Sequence, residues 1–196
     1  MSNMPDLLFV SWEEFYELSF ELAQKIKNSG KKFDIIVSIS RGGHVISRIL
    51  SDLLGLQIFN VSIQSYEAME QKRLTMLQKL NVFLDEQNIL LVDEIVDTGL
   101  SLERAVSYLQ RIRAKHVTSV VLHVKPHAQV RPDVFVVETA KWVVYPYEIR
   151  ETWESLNIIG RKTGFSEEEV MQALIKGGMK ERYLEWVKQN EGIRTD

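Results

Sequence analysis

Cysteine is absent from this chain. Disulfides, thiolate catalysis and cysteine-ligated metals are thereby excluded. No apolar run approaches the ~20 residues needed to span a bilayer. Met1 to Leu8 include Pro5 and Asp6 and lack a basic start, so they do not read as a signal peptide. Charge of one sign is also scarce. The formal net charge is -3, which gives no general electrostatic reason to expect nucleic acid or an anionic membrane as partner. The four histidines, His44, His116, His123 and His127, form no metal-ligand spacing with nearby acids, and none is assigned a catalytic role. His123 is expected to be a strand residue satisfied by a hydrogen bond. No Gly-x-Gly-x-x-Gly follows a strand pattern and no Walker lysine loop appears, which disfavours a generic nucleotide-binding module. The expectation that remains is a cytoplasmic enzyme or binding protein, its 196 residues long enough for one sizeable core.

What is present alternates between two periodicities. Ser11-Trp12-Glu13-Glu14 has the spacing of a capping box, and Phe15, Leu18, Leu22 and Ile26 follow at helical intervals until Gly30. Asp34 to Ile39 is short, apolar and rich in β-branched residues, as a buried strand should be. Arg41-Gly42-Gly43 breaks it, and a helix is predicted from Val45 to Leu54, closed by Gly55. Gln57 to Ile63 reads as a strand. From Gln64 to Asn81 the pattern weakens, and a long loop is predicted, the kind that in compact domains is usually a functional lid. Ile89–Val92, His116–Val124, Val134–Val137 and Trp142–Val144 read as strands, and Ser101–Arg113 as a helix. Such alternation implies an α/β fold with a mostly parallel sheet and flanking helices over residues 1–146. Beyond Pro146 the chain is predicted to be helical, over Glu148–Lys162, Glu167–Lys176 and Met179–Gln189. A second capping box stands at Ser166-Glu167-Glu168-Glu169. Residues 147–196 are thus expected to form a C-terminal helical bundle.

One stretch concentrates the chemistry. Ile89-Leu90-Leu91-Val92 runs into Asp93-Glu94-Ile95-Val96-Asp97-Thr98-Gly99-Leu100-Ser101. Two adjacent acids stand at the end of a buried strand, and an acid, hydroxyls and a glycine then open a helix. In open α/β sheets, ligands bind at the carboxyl ends of strands. Amide groups at a helix start, with the Thr98 and Ser101 hydroxyls, suit a phosphate, and Gly99 permits close approach. Asp93 and Glu94 suit either ribose hydroxyls or a hydrated Mg²⁺. The bland alternative is a turn with a Ser N-cap, which leaves the adjacent acids unexplained.

These thirteen residues resemble the signature for 5-phosphoribosyl 1-diphosphate (PRPP) in type I phosphoribosyltransferases of the purine kind. Ser38-Ile39-Ser40-Arg41-Gly42-Gly43 is similar to the diphosphate loop of the bacterial xanthine-guanine enzymes, where a non-proline cis peptide is often found, here expected at Ser40–Arg41. Arg41 and exposed amides at a helix start also suit a diphosphate on physical grounds, although Arg-Gly-Gly alone is equally an ordinary strand-to-helix turn. The resemblance makes residues 65–81 a flexible lid closing over PRPP, with Tyr66, Lys72 and Arg73 as candidates to reach the diphosphate. It makes Val124-Lys125-Pro126 and Trp142-Val143-Val144-Tyr145-Pro146-Tyr147-Glu148 the base site. There Lys125, Trp142, Val143 and Glu148 would meet the purine, with Tyr147 where the family usually has a second tryptophan. Surface lysine and core tryptophan remain the alternatives for Lys125 and Trp142. By resemblance, the 5′-phosphate falls to Asp97, Thr98, Gly99, Leu100 and Ser101, and the diphosphate to Ser40, Arg41, Gly42, Tyr66 and Arg73. Mg²⁺ falls to Asp93 and Glu94.

The resemblance implies transfer of phosphoribosyl from PRPP to N9 of a purine, through a transition state with oxocarbenium character. Arg41 and Mg²⁺ would stabilise the departing diphosphate, and Asp93, Glu94 and Asp97 would act catalytically, Asp97 managing the purine proton near N7. Two readings of the base stand open. The ammonium of Lys125 suits a carbonyl at position 6, hence hypoxanthine, guanine or xanthine. The whole chain, helical tail included, resembles crenarchaeal relatives with adenine-specific members, and adenine is taken as the first expectation. A rival of another class is a PRPP-sensing regulator without catalysis. The tail's mixed charges, Glu167, Glu168, Glu169, Glu181 and Glu185 beside Lys176, Lys180, Arg182 and Lys188, argue against the nucleic-acid module such proteins carry. The same resemblance implies a homodimer.

Overall fold

The computed structural model describes residues 4–68, 71–80 and 84–190; of residues 64–68 and 71–75 it describes the backbone alone. The chain divides into two compact units, Tyr16–Ala140 and Met1–Phe15 with Lys141–Asp196. Helix α1 (Trp12–Asn28) begins at the predicted capping box. The Ser11 hydroxyl accepts from the Glu14 amide at 3.1 Å, and the Glu14 carboxylate accepts from the Ser11 amide at 2.8 Å. The hydrogen bonds from Ser11 hold the Glu14 carboxyl below its usual range.

Tyr16–Ala140 is built on one sheet. Strands β2 (Ile35–Ser40), β3 (Gln57–Ala68), β4 (Gln71–Gln78), β5 (Asn88–Val92), β6 (Ile95–Val96), β7 (His116–Val124) and β8 (Val134–Glu138) lie in the order β4-β3-β2-β5-β7-β6, with β8 also pairing β7. Every pairing is parallel except β3 with β4. Helices α2 (Gly43–Leu54) and α3 (Leu100–Arg111) provide the crossovers and pack on β2 and β7 respectively. Alternate residues of a strand face opposite ways. Ile35, Val37, Ile39, Ile89 and Leu91 form one core cluster with Leu102, Ala105 and Leu109 of α3. Their neighbours Ile36, Leu90 and Val92 are just as buried, so these strands are covered on both faces. That explains why they read as unbroken apolar runs.

The segment from Gln64 onward departs from the predicted loop. It continues β3 as an antiparallel ribbon, with Tyr66 opposite Arg73 and Glu67 opposite Lys72. The reason lies in the pairing. β2 accompanies β3 only as far as Ser62, and beyond that point β4 is its one partner among the described residues, so the apolar pattern of a sheet core is not demanded.

In the other unit, β1 (Leu7–Phe9), which the sequence pattern does not announce, pairs in parallel with the predicted β9 (Trp142–Val144). Helices α4 (Ile149–Thr163), α5 (Glu167–Lys176) and α6 (Glu181–Gln189) follow, as predicted beyond Pro146. They enclose Trp153, Leu156, Val170, Leu174 and Leu184. Among the described residues, no helix is long and apolar enough to cross a membrane.

Candidate active site

The carboxyl ends of β2 and β5 bring two sequence-predicted segments together. The loop Ser40-Arg41-Gly42-Gly43 lies against Asp93 and Glu94. A Cβ built on Gly42 would stand 2.3 Å from Glu94 Oε1 and 3.0 Å from Asp93 Oδ1. One on Gly43 would stand 2.5 Å from the Val92 carbonyl and 2.9 Å from Ser38 Oγ. Gly43 is therefore required by close approach to the backbone at the end of β5, and a side chain at position 42 would displace the carboxylates of Asp93 and Glu94. The peptide bond Ser40–Arg41 is cis, as the resemblance leads one to expect. Arg41 is exposed, whereas Glu94 is buried and Asp93 partly so. The Asp93 carboxylate accepts from the Glu94 amide at 3.0 Å, and the Glu94 carbonyl accepts from the amides of Leu122 and His123. The acids are thus held by the backbone of β7 and by each other.

One turn further on, Asp97 and Thr98 are exposed, and Gly99 is the N-cap of α3 with φ +91°. The helix starts at Leu100, one residue before the predicted Ser101, so Ser101 lies inside its first turn. No side chain caps this helix start by the usual hydrogen bond; the Leu100 amide reaches the Thr98 hydroxyl only at 3.5 Å. The first amides of a helix have no intrahelical acceptor. Here they border the loop that carries Asp97, and amides and dipole at a helix start are of the kind that suits an anion. Gly99 cannot be replaced without cost, because a Cβ there would meet the Val130 carbonyl at 2.2 Å.

Strand β7 supplies the next group. The pairing of Val96 with Val124 places Lys125 beside Asp97, and the Lys125 amide donates to the Val96 carbonyl at 2.9 Å. Burial lowers the Lys125 pKa, and the charge of Asp97 works against that shift. His123, two residues earlier, is buried, and burial together with the Lys125 charge lowers its pKa to about 4. It is a neutral strand residue. His127, to which the sequence assigned nothing, places Nε2 2.8 Å from Asp97 Oδ1. The contact follows from the pairing of β6 with β7, which the sequence does not announce.

Trp142, Val143 and Glu148 belong to the other compact unit. Trp142 is partly exposed, its amide donating to the Asp6 carbonyl at 2.8 Å, so it is not the core tryptophan; Trp153 is. Val143 is buried in β9, opposite Leu8. Glu148 is the N-cap residue of α4. Tyr147 stacks on Tyr145 at 5.6 Å and meets Phe15 edge-on at 5.4 Å, so its ring is committed to packing. The side chains of Tyr66, Lys72 and Arg73 lie outside the described residues.

The carboxylates of Asp93 and Glu94, in a cradle that any side chain at position 42 would fill, fit Mg²⁺ that arrives with its ligand. Mg²⁺ is commonly held through one or two carboxylates, with phosphate oxygens and water completing the shell. Among the described residues no group of three or more metal-ligating side chains exists, so the donor set does not suit a resident all-protein site.

Residues 10–152 match the phosphoribosyl transferase domain. The xanthine-guanine phosphoribosyltransferase of Idiomarina loihiensis is 31% identical over 145 residues, covering 72% of this chain and 86% of that protein. The crystal structure of a purine phosphoribosyltransferase from Pyrococcus horikoshii superposes with a TM-score of 0.68 at 27% identity, over 72% of this chain and 93% of the other. The xanthine-guanine-hypoxanthine phosphoribosyltransferase of Helicobacter pylori gives a TM-score of 0.66 at 26% identity, over 80% and 99%. On these matches the chain belongs to the phosphoribosyltransferase family.

Proposed function

We propose that this chain is a purine phosphoribosyltransferase that transfers the 5-phosphoribosyl group of PRPP to N9 of a 6-oxopurine (hypoxanthine, guanine or xanthine), releasing diphosphate. The observation that carries the reading is the packing of Gly42 onto Asp93 and Glu94. It sets the proposed diphosphate loop against the acid pair at the carboxyl edge of one sheet, a few residues before the start of α3. Adenine, the first expectation from the whole chain, finds no support in the relatives' names; the 6-oxopurine alternative fits them better.

The residues divide the work by chemistry. The amides at the start of α3, with Thr98 and Ser101, take the 5′-phosphate. Arg41 and the amides of its loop take the diphosphate. Asp93 and Glu94 hold the ribose hydroxyls and the metal, and as carboxylates they stabilise positive charge developing on the ribose ring. Bound Mg²⁺ neutralises negative charge on the departing diphosphate. The Lys125 ammonium donates to the carbonyl at position 6, which adenine lacks. Asp97 manages the proton near N7. Trp142, Val143 and Glu148 contribute to base recognition. Tyr66 and Arg73 belong to a lid over residues 65–81 that excludes water. The enzyme works as a homodimer, which light scattering would report as twice the chain mass.

The test is turnover of PRPP with adenine, hypoxanthine, guanine and xanthine offered separately, for the natural chain and for Asp97→Asn. A 6-oxopurine should be consumed in preference to adenine. Asp97→Asn should lower kcat by about 10²–10⁴, the range of general acid–base catalysis, with PRPP still bound. Preference for adenine would overturn the choice of base. Binding of PRPP with no base consumed would instead favour a regulator.

A further inference from the structure

We infer that His127 is a positioning residue for the reaction, holding Asp97 by one carboxylate oxygen so that the other faces the purine proton. The inference rests on the role proposed above for Asp97.

The contact is built from the backbone outward. Lys125-Pro126-His127-Ala128 forms a tight turn after β7, closed by the Ala128 amide donating to the Lys125 carbonyl at 3.1 Å. Proline in its second position sets φ for such a turn, and His127 follows in the third. The next two residues fasten the turn to the phosphate loop, since the amides of Gln129 and Val130 both donate to the Thr98 carbonyl, at 3.0 and 3.3 Å. Gly99 lies against Val130 at the same point. The turn carrying His127 and the loop carrying Asp97 are therefore locked together by their main chains. The 2.8 Å contact between Nε2 and Oδ1 bridges two segments already fixed relative to each other.

An ionised carboxylate only accepts hydrogen bonds, so the shared hydrogen belongs to His127 Nε2. Oδ1 is thereby occupied and Oδ2 is left for the substrate. Lys125 lies beside Asp97, and the charge of Asp97 acts on it. In the proposed function Lys125 faces the base carbonyl, and the hydrogen bond to His127 sets the rotation of the carboxylate. The opposing view is that this is an ordinary surface pair, since the two side chains are 61% and 66% exposed, and such pairs contribute little to stability. The two views differ in turnover rather than in folding. A catalytic carboxylate turned away from its proton loses rate, and misplacement by about 1 Å can cost 10²-fold.

The experiment measures kcat and KM for His127→Ala, His127→Gln, Asp97→Asn and the double variant Asp97→Asn/His127→Ala, using whichever base the natural chain consumes. His127→Ala should lower kcat about 10- to 100-fold, with KM for PRPP little changed. His127→Gln, whose amide donates at similar reach, should recover most of the rate. In the Asp97→Asn background the His127→Ala change should have no further effect, because residues acting through one another are not additive. Natural turnover in His127→Ala beside an impaired Asp97→Asn would overturn this inference and leave Asp97 in place. Equal losses from His127→Ala in both backgrounds would overturn it by showing that His127 acts elsewhere. Full activity in Asp97→Asn would remove the role of Asp97 and the inference with it.

Discussion

Lys125 stands where β7 ends, beside Asp97, and its titration should be visible in the reaction. Burial lowers its pKa, partly opposed by the Asp97 charge. The cation is the form that donates to a carbonyl at position 6, so kcat/KM for a 6-oxopurine should fall as pH rises through the Lys125 pKa. Because that pKa is depressed, the fall should begin below the range of an ordinary lysine, about 10.4. Lys125→Arg removes the titration, since guanidinium stays protonated throughout. The alkaline fall should then be flattened, save for any part that comes from ionisation of the base, which both proteins share. A pH profile unchanged by the substitution would separate Lys125 from the carbonyl. His127 teaches a related lesson about residues. Asp97 and Lys125 are candidates from the sequence because each lies in a stretch that resembles a family motif. The contact of His127 with Asp97 depends on β6 lying beside β7 and on two amides gripping the Thr98 carbonyl, and it spans thirty residues of sequence.

At the scale of elements, legibility followed burial. The bounds of β7, β9 and α5 coincide with the sequence pattern because apolar periodicity or a capping box marks both ends. The ribbon of β3 and β4 carries no strand pattern because, beyond Ser62, β3 pairs with β4 and no longer with β2. β1 went unseen because three residues pairing with a strand more than a hundred positions away carry no local signal. The capping box of α5 offers a clean test of an element read correctly. Ser166 Oγ accepts from the Glu169 amide at 3.2 Å, and the Glu169 carboxylate accepts from the Ser166 amide at 2.7 Å. Ser166→Ala leaves the first turn short of an acceptor and should cost about 1 kcal/mol. For a chain of this size that corresponds to a fall of about 2–4 °C in the melting transition that includes α5. Calorimetry would show it. An unchanged transition would mean that packing of Val170 and Leu174, not the cap, holds the start of the helix.

For the molecule as a whole, the question is what the metal does to stability as opposed to turnover. The described residues contain no cluster of three metal-ligating side chains, and the fold rests on apolar cores in each unit. Chelation of divalent cations should therefore stop catalysis while leaving the melting temperature of the free chain unchanged. PRPP with Mg²⁺ should behave differently, because it binds the folded carboxyl edge of the sheet and nothing in the unfolded chain. At 100 times its dissociation constant such a ligand contributes about 2.7 kcal/mol. With about 2–4 °C per kcal/mol for a chain of this size, the melting temperature should rise by roughly 5–11 °C. PRPP with a chelator should give a smaller rise, since the diphosphate then meets Asp93 and Glu94 without a cation between them, and carboxylates repel an uncompensated anion. Replacing Asp93 and Glu94 together by Asn and Gln should narrow the gap between the two conditions. If chelation alone lowered the melting temperature, the metal would be structural, and the assignment of Asp93 and Glu94 to a substrate-borne cation would fail.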